Sequence, residues 1–252
     1  MDLHDALRRH ARAAAERAHA PFSPRTVGAA LLLSDGTVVT GSRVESASYP
    51  LTIPALQAAW ARMRAAGRSD LVAAATSRTL HDAERDFLAA DSRRRWTRTD
   101  EDVAVVDGAP LHAVAGALRA FVDPPADPLL TALDAARHAH APVSQFPVGC
   151  VMETEGGWVR GSNVEHAEDW TRGLCAERVA LATAVAAGAG AVSRIWLACP
   201  KAPGATPCGG CRQLLAELAP DADLRMWNGD DPPIATTPAA LLPGGFRAEH
   251  LG

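Results

Sequence analysis

The sequence predicts an α/β fold made of two tandem domains, each a three-layer α/β/α sandwich around a mixed sheet. The first observation behind this prediction is a repeat: residues 18–23 recur at 139–144, and residues 41–47 recur at 161–167. One long period with only two copies indicates a duplicated domain rather than a solenoid. The second observation is that helix-like and strand-like segments alternate after an opening hairpin in each copy, which is typical of α/β sandwiches.

Proline marks the boundary between the two copies. Three prolines fall within residues 122–128, and neither a helix nor a central strand continues through such a segment. We therefore expect a first domain over residues 1–121, a linker over residues 122–128 and a second domain over residues 129–252. A chain of 252 residues is long enough for two domains.

Both copies open with the same predicted elements. An amphipathic, alanine-rich helix is predicted over roughly residues 3–19 in the first copy and 129–140 in the second. A strand over residues 27–33 or 148–154 follows, and a glycine-containing turn leads to a second strand. We expect both copies to continue in one order, with a helix, an apolar strand, a second helix and a last strand.

The second copy shows these later elements most clearly. Residues 175–187 are strong helix formers, and residues 194–199 form an apolar, strand-like run. Residues 213–218 are helix-like and are stopped by Pro220, and a last strand is predicted near residues 224–227. The starts of the two helices carry the residues that predict chemistry.

Three cysteines stand at the starts of these helices. Glu177 follows Cys175 two positions on, and Cys208 and Cys211 belong to a Pro-Cys-Gly-Gly-Cys segment. Zn²⁺ held by three protein ligands keeps its fourth position for water, and the positive end of a helix dipole favours thiolates. We predict one Zn²⁺ per chain on the three cysteines and Glu177 as the catalytic acid and base. This spacing is typical of zinc nucleobase deaminases.

Two alternatives stay open for the cysteine cluster. A structural zinc site closed by a fourth ligand is the first, although such sites favour two close pairs and have no need of Glu177. A catalytically silent zinc module used for assembly is the second, and it would be favoured had the glutamate been lost. We favour catalysis because Glu177 follows the first ligand so closely.

The first copy lacks these chemical groups. Pro54 and Leu56 stand where the second copy has its first cysteine and its glutamate. A looser alignment places His81 and Glu84 at the positions of the other two cysteines. Because proline cannot ligate a metal and leucine cannot carry a proton, we expect a domain without a zinc site. A site built on His81 and Glu84 would hold only two ligands.

The second copy resembles cytidine deaminase, the nucleoside-salvage enzyme, and the first copy is similar to a degenerate form of the same family. The segments that carry the resemblance are residues 146–149 (FPVG), 163–165 (NVE), 175–182 (CAERVALA), 207–217 (PCGGCRQLLAE), 241–246 (LLPGGF) and, in the first copy, 47–53 (ASYPLTI). The resemblance implies hydrolytic deamination of cytidine or a related cytosine nucleoside to the uracil form, with release of ammonia.

The resemblance also implies roles for five residues around the pocket. Phe146 would stack on the pyrimidine, Asn163 and Glu165 would hydrogen-bond the ribose hydroxyls, and Ala176 would contact the substrate. Arg178 would donate hydrogen bonds to the ligand thiolates. This last role has an independent reason, because three thiolates on Zn²⁺ leave a net negative charge that weakens a Lewis acid.

Structural alternatives stay open for three of these residues. A core aromatic is the alternative for Phe146, and turn chemistry is the alternative for Asn163. Glu165 has a counterpart in Glu45 of the first copy, so a structural role in both copies is its alternative.

Residues 166–174 (HAEDWTRGL) depart from the family pattern at the place where the resemblance puts the sugar. A changed pocket wall predicts a sugar-modified cytosine nucleoside or nucleotide as the alternative substrate, and a loop that only contacts the first copy is the structural alternative. For His166 the alternative is a hydrogen-bonded loop residue, and for Trp170 it is packing between the two copies. The candidate pocket residues are His166, Trp170, Arg172, Tyr49 and Phe246.

Composition narrows the partners. A net charge of −4 and an aromatic content of 5% argue against a polynucleotide-editing deaminase, which needs a basic groove and aromatic platforms. No apolar stretch is long enough for a membrane span, and the first residues lack signal-peptide order. Cys150 and Cys199 are expected to be buried free thiols in a reducing cytoplasm. We expect a small nucleoside as the substrate, no nucleic-acid or membrane partner, and a homodimer that resembles a four-domain assembly.

Overall fold

The computed structural model of the chain describes residues 2–251 and forms two six-stranded sheets. The helices of this part of the chain are α1 (Leu3–Ala15), α2 (Ala55–Ala65), α3 (Asp82–Ser92), α4 (Pro128–Ala136), α5 (Ala176–Ala187) and α6 (Gly209–Leu218). The first sheet contains β1 (Gly28–Leu33), β2 (Thr37–Ser42), β3 (Leu71–Thr76), β4 (Trp96–Arg98), β5 (Val103–Val106) and β6 (Gly116–Ala117). The second contains β7 (Phe121–Val122), β8 (Gly149–Thr154), β9 (Gly157–Ser162), β10 (Val192–Ala198), β11 (Asp223–Asn228) and β12 (Asp231–Thr236). Short 3-10 helices span Tyr49–Leu51, Trp170–Arg172 and Ala248–Leu251.

Side chains that alternate between the two faces of each strand allow helices to pack on both faces of the sheet. In β1, Leu32 packs with Leu7 of α1, whereas Leu31 and Leu33 belong to the cluster that contains Trp60 of α2. Successive side chains of a strand point to opposite faces, so α1 and α2 cover opposite sides of the first sheet. The α/β prediction is confirmed, and both sheets are mixed, because β2 pairs with β6 and β10 pairs with β11 in parallel.

The two sheets differ at one end. Their strand orders are β4-β5-β3-β1-β2-β6 and β12-β11-β10-β8-β9-β7. In the second half, α6 leads directly to β11, which pairs with β10 in parallel as a strand–helix–strand crossover does. In the first half, α3 leads to the hairpin β4–β5, so β5 pairs with β3 antiparallel. The expected element order is therefore present in both halves, and the sheets differ in pairing: β5, the second strand of its hairpin, pairs with β3, whereas β11, the first strand of its hairpin, pairs with β10.

Helices α1 and α4 end several residues earlier than the sequence predicts. The chain leaves each helix to form a short bridge, in which the backbone N–H of His19 donates to the carbonyl of Arg43 at 2.9 Å. The N–H of His140 donates to the carbonyl of Asn163 at the same distance of 2.9 Å. These bridges keep the loop after each opening helix beside the end of the second strand.

Two glycines of the second half allow helices to approach the sheet closely. A Cβ atom at Gly149 would lie 2.0 Å from the carbonyl oxygen of Ala132 in α4. A Cβ atom at Gly161 would lie 2.3 Å from the carbonyl oxygen of Ala176, the first residue of α5. Backbone contact of this kind excludes every larger residue, and it seats the start of α5 directly on β9.

The two halves pack through α2 and α5, and their largest hydrophobic cluster is shared. Arg178 Nη2 donates to the carbonyl of Leu51 at 2.9 Å, and Gln57 Nε2 donates to the carbonyl of Arg172 at 2.6 Å. In the repeat, Gln57 corresponds to Arg178 and Leu51 to Arg172. The same contact is thus made in both directions, as across the two-fold axis of a symmetric dimer.

The chain passes from one sheet to the other between β6 and β7. Strand β6 pairs with β2 at the edge of the first sheet, and β7 pairs with β9 at the edge of the second. The predicted linker begins at Val122, which lies in β7, and ends at Pro128, the first residue of α4. The Asp127 side chain caps that helix by accepting from the N–H groups of Leu129 and Leu130. Within residues 2–251, no helix has the length and apolar character needed to cross a bilayer.

Candidate active site

Three thiols meet where α5 and α6 begin. Cys175 is the N-cap residue of α5, Cys208 is the N-cap residue of α6, and Cys211 lies in the first turn of α6. Their Sγ atoms all lie within 4.8 Å of one another, and those of Cys175 and Cys208 are 3.8 Å apart. Tetrahedral zinc with Zn–S bonds of about 2.3 Å separates its sulfurs by about 3.8 Å. The donor set therefore fits a zinc ion with one open position.

Hydrogen bonds among the three thiols shift their pKa values in opposite directions. Hydrogen bonds from Cys175 and Cys211, assisted by backbone N–H groups at the start of α6, hold the pKa of the Cys208 thiol far below its usual range. The hydrogen bond to Cys208 raises the pKa of Cys175 to about 12, and the same contacts raise the pKa of Cys211. One thiolate is thus stable at neutral pH, and a bound cation would release the remaining protons.

Glu177 lies beside this cluster in a dry environment. Its side chain is 3% exposed, and burial raises its pKa to about 7. A carboxyl group with such a pKa can accept and donate a proton at neutral pH, as general acid–base catalysis requires. The geometry combines a soft-metal site and a proton carrier within one turn of α5.

A cavity of about 520 Å³ opens onto Glu177 and two of the thiols. This volume lies within the range of about 300–1,000 Å³ that is usual for small-molecule sites. Its wall includes Phe146, Asn163, Glu165, Trp170, Cys199 and Thr206.

Comparisons with known proteins identify the class of this site. Two family models match, both described as cytidine and deoxycytidylate deaminase zinc-binding region, over residues 1–92 and residues 127–222. A cytidine deaminase from Halalkalibacterium halodurans is 39% identical over 127 residues, which make up 48% of this chain and 92% of that protein. A cytidine deaminase from Sporosarcina psychrophila is 34% identical over 119 residues, or 46% of this chain and 87% of that protein.

The chain belongs to the cytidine deaminase family. It is a hydrolytic deaminase with a zinc-binding centre, which confirms the enzyme class and the metal predicted from the sequence. Among solved structures, the cytidine deaminase of Burkholderia pseudomallei matches 47% of this chain and 96% of its own at 34% identity, with a TM-score of 0.44.

Asn163 uses both ends of its side-chain amide within the deaminase. Its Oδ1 accepts from the N–H of Val148 at 2.7 Å, and its Nδ2 donates to the carbonyl of Phe146 at 2.9 Å. These bonds fix the segment that carries Phe146 into the cavity wall. The predicted contact of Asn163 with a ribose hydroxyl stays a prediction.

Glu165 is buried and holds the loop before β8. Its carboxylate accepts from the N–H groups of Val143 at 2.8 Å and Ser144 at 3.0 Å. Burial raises the pKa of Glu165, but these hydrogen bonds outweigh burial and leave the pKa below its ordinary value. Glu45 accepts from the N–H of Phe22 at 3.0 Å, which is the equivalent bond in the first half. The structural alternative therefore has a physical basis in both halves.

His166 and Arg172 contact the first half rather than the cavity. The buried ring of His166 lies 3.1 Å from the carbonyl of Phe87 through Nε2, and it packs against Trp60 and Phe87. The Arg172 guanidinium carbon lies 5.8 Å from the centroid of the Phe87 ring. Ser46, the repeat counterpart of His166, also reaches across, because its Oγ donates to Glu217 Oε1 at 2.8 Å. In the structure these two candidates lie at the interface between the halves, and their contact with a substrate stays a prediction.

The other candidates divide between the wall and the surface. Trp170 lines the cavity and is 64% exposed, whereas Tyr49, its repeat counterpart, is 84% exposed and lies outside the wall. Phe246 is also outside the wall, and its carbonyl accepts from Gln213 Nε2 at 2.5 Å. Ala176 is fully buried at the start of α5.

Arg178 directs its described hydrogen bond to Leu51 in the first half. Its predicted bond to the thiolates stays a prediction.

Cys199 lines the cavity wall, although the sequence predicted it only as a buried free thiol. It is buried, as predicted, and burial raises the pKa of its thiol to about 12. It also lines the cavity, because it directly follows the carboxyl end of β10. Strand ends of that kind commonly border ligand sites in α/β sheets, which is the signal that would have identified it.

The first half presents no equivalent centre in the part of the chain that the structure describes, where the one cluster able to hold a metal is that of the second half. Pro54 is the N-cap residue of α2 and His81 that of α3. Glu84 accepts from the N–H of His81 at 3.0 Å and pairs with Arg78 at 2.9 Å. Its carboxylate is occupied by helix capping.

Proposed function

We propose that the second half of the chain deaminates cytidine, or a closely related cytosine nucleoside, to the uracil form with release of ammonia. The observation that carries this proposal is buried Glu177 beside three convergent thiols at the base of a cavity of about 520 Å³. The similarity to proteins named cytidine deaminase supports the choice of base. We propose residues 1–121 as a metal-free domain, residues 122–128 as a linker and residues 129–252 as the catalytic domain with one zinc ion.

In the proposed mechanism the protein supplies the proton transfers. Zinc on Cys175, Cys208 and Cys211 would lower the pKa of a water from 15.7 to about 7 and so supply the nucleophile. Glu177 accepts the proton of the water that adds to C4 of the cytosine ring and delivers it to N3. The same carboxylate then accepts the proton of the hydroxyl group formed at C4 and gives it to the amine, so that the C4–N bond breaks, ammonia leaves and C4 becomes the carbonyl of the uracil form. Phe146 in the cavity wall would orient the ring by stacking.

The charge of the cavity wall favours a nucleoside over a nucleotide. Among the described wall residues there is no lysine or arginine, and Glu165 and Glu177 are acidic. A phosphate placed there would face carboxylates without a compensating cation. We therefore propose a neutral nucleoside as the substrate.

A sugar-modified cytosine nucleoside is the second candidate, and Trp170 favours it. The exposed indole lies in the cavity wall, where an additional apolar or flat substituent could pack against it. A screen of kcat/KM across cytidine, deoxycytidine, CMP and 5′-modified cytosine nucleosides separates the candidates. A modified nucleoside that surpasses cytidine would establish the second candidate. A kcat/KM for cytidine of about 10⁴–10⁸ M⁻¹s⁻¹, which no modified nucleoside surpasses, would establish cytidine as the substrate.

Glu177→Gln tests the catalytic role directly. The amide cannot carry the proton, so we expect kcat to fall by about 10²–10⁴-fold while one zinc ion per chain is retained. Ammonia release and metal content are the measurements. Glu101→Gln, an exposed change of the same type, is the matched control and should leave both values unchanged. Ammonia release by Glu177→Gln at the wild-type rate would contradict the proposal.

The deaminase's assembly and location also remain proposals. We propose a homodimer, because the two halves already use a symmetric contact within one chain and a second copy would complete a four-domain assembly. Free buried thiols at Cys150 and Cys199 fit a reducing cytoplasm.

A further inference from the structure

A second cavity, of about 410 Å³, lies between the two halves. Its wall combines Arg62 of α2, Arg160 of β9 and Thr183 of α5 with residues 118–123, which cross from one sheet to the other. It shares no described wall residue with the active-site cavity. Any ligand bound there would contact both halves without touching the catalytic residues.

Arg62 is a buried cation in this wall. The residue is 5% exposed, and its Nη1 donates to the carbonyl of Thr40 at 2.5 Å and to the Thr40 hydroxyl at 3.3 Å. Among the residues that the structure describes, no carboxylate forms an ion pair with it. Burial lowers its pKa to about 10, and nearby Arg17 acts in the same direction, yet the group is still charged at neutral pH. A buried charge without a counter-charge is unfavourable, so this position favours an anion.

The other charged residues of this cavity wall are also positive in sum. Arg160 is held loosely, with its Nη1 4.0 Å from Asp134, and Arg119 lies 3.5 Å from Asp123. Asp123 is the one acidic residue among the described wall residues, against three arginines. This local excess of positive charge occurs in a chain with a net charge of −4.

We propose that this cavity binds the phosphate group of a small molecule through Arg62, Arg160 and Arg119. Guanidinium groups bind phosphate oxygens in a bidentate manner and tolerate burial better than ammonium groups. The volume lies within the usual range for small-molecule sites, and it leaves room for more than one phosphate. The inference does not depend on the reaction proposed above, because none of these residues belongs to the active-site wall.

Isothermal titration calorimetry of the zinc-loaded, full-length protein tests the proposal. The probes are inorganic phosphate, pyrophosphate and UDP, each against chloride at constant ionic strength, because exposed charges are screened by salt. We expect saturable binding of one ligand per chain that saturating uridine does not displace. Tighter binding of UDP would identify an organic phosphate as the ligand, and equal affinities would identify free phosphate.

Matched variants locate the binding. Arg160→Gln should weaken the affinity at least tenfold, and Arg119→Gln should weaken it to a smaller extent because that side chain is more exposed. Arg137→Gln is the control, since Arg137 shares Asp134 as its partner but lies outside the wall. Unchanged melting temperatures without ligand would show that the variants fold. No saturable binding of any probe at millimolar concentration, or equal weakening by Arg137→Gln, would overturn the proposal.

Discussion

The N-cap residues of two helices separate the first half of the molecule from the second. Pro54 and His81 begin α2 and α3, whereas Cys175 and Cys208 begin α5 and α6. The N-cap residue stands at the positive end of the helix, where the first N–H groups have no partner within the helix, so a cysteine there supplies a favoured thiolate and a proline supplies no ligand. The two halves keep the same geometry there and differ in chemistry.

The framework around these positions is the same in both halves. Ser42 Oγ donates to the carbonyl of Ala14 at 2.6 Å, and Ser162 Oγ donates to the carbonyl of Ala135 at the same distance of 2.6 Å. The first half is predicted to bind no metal, yet it retains the hydrogen bond between its second strand and its opening helix. Sheet, helix and loop contacts therefore define the fold, and the cysteines add a function to it.

Cys208→Ala should give the largest difference between the halves. We expect loss of bound zinc and a fall in activity of at least about 10³-fold, since the nucleophile is no longer generated at neutral pH. His81→Ala changes the equivalent N-cap residue of the first half and should leave zinc content and activity near wild type. Metal analysis and ammonia release are the measurements. Two zinc ions per wild-type chain, or loss of zinc in His81→Ala, would show that the first half also holds a metal.

The repeat, the ligand cysteines and Glu177 could be predicted from the sequence because each is encoded locally. A helix that begins at Cys-Ala-Glu places its thiol and its carboxylate close together, and this placement depends only on the local sequence. The roles of His166 and Arg172 could not be predicted in this way. Their partner, Phe87, is far away in sequence and belongs to the other half, so only the packing of α2 against α5 brings them together.

The hairpin β4–β5 was missed for a related reason. The repeat led us to expect the same order in both copies, and two strands do follow both α3 and α6, but the second strand of the hairpin pairs with β3 in the first sheet, whereas the first strand of the hairpin pairs with β10 in the second sheet. Strand pairing next to β3 depends on the path of the chain after the helix, and a short hairpin reverses the direction of the strand that returns.

Arg178→Met and Gln57→Met test the interface between the halves. Both side chains donate to a carbonyl of the opposite half, so both changes should destabilise the protein. We expect a loss of about 1.5–3 kcal/mol for the charged donor and about 0.5–1.5 kcal/mol for the amide. Arg178 also acts electrostatically on Glu177, which it directly follows, so its change alone should lower kcat. Urea unfolding and kcat are the measurements, and equal effects of both variants on kcat would reduce Arg178 to an interface residue.

Glu165→Gln and Glu45→Gln should show the smallest difference. Both carboxylates have a pKa below the ordinary value of 4.5, because hydrogen bonds from the neighbouring loop outweigh the effect of burial. A lowered pKa in the folded state stabilises the protein above about pH 4.5, and this stabilisation is lost as the pH falls through the folded-state pKa. Each variant should therefore lose about 1 kcal/mol at pH 7, and the deficit relative to wild type should shrink in acid. Unfolding curves at several pH values measure this effect. If Glu165 also binds the ribose, Glu165→Gln alone will raise KM at pH 7. Equal stability losses with unchanged KM would leave both glutamates with the same structural role.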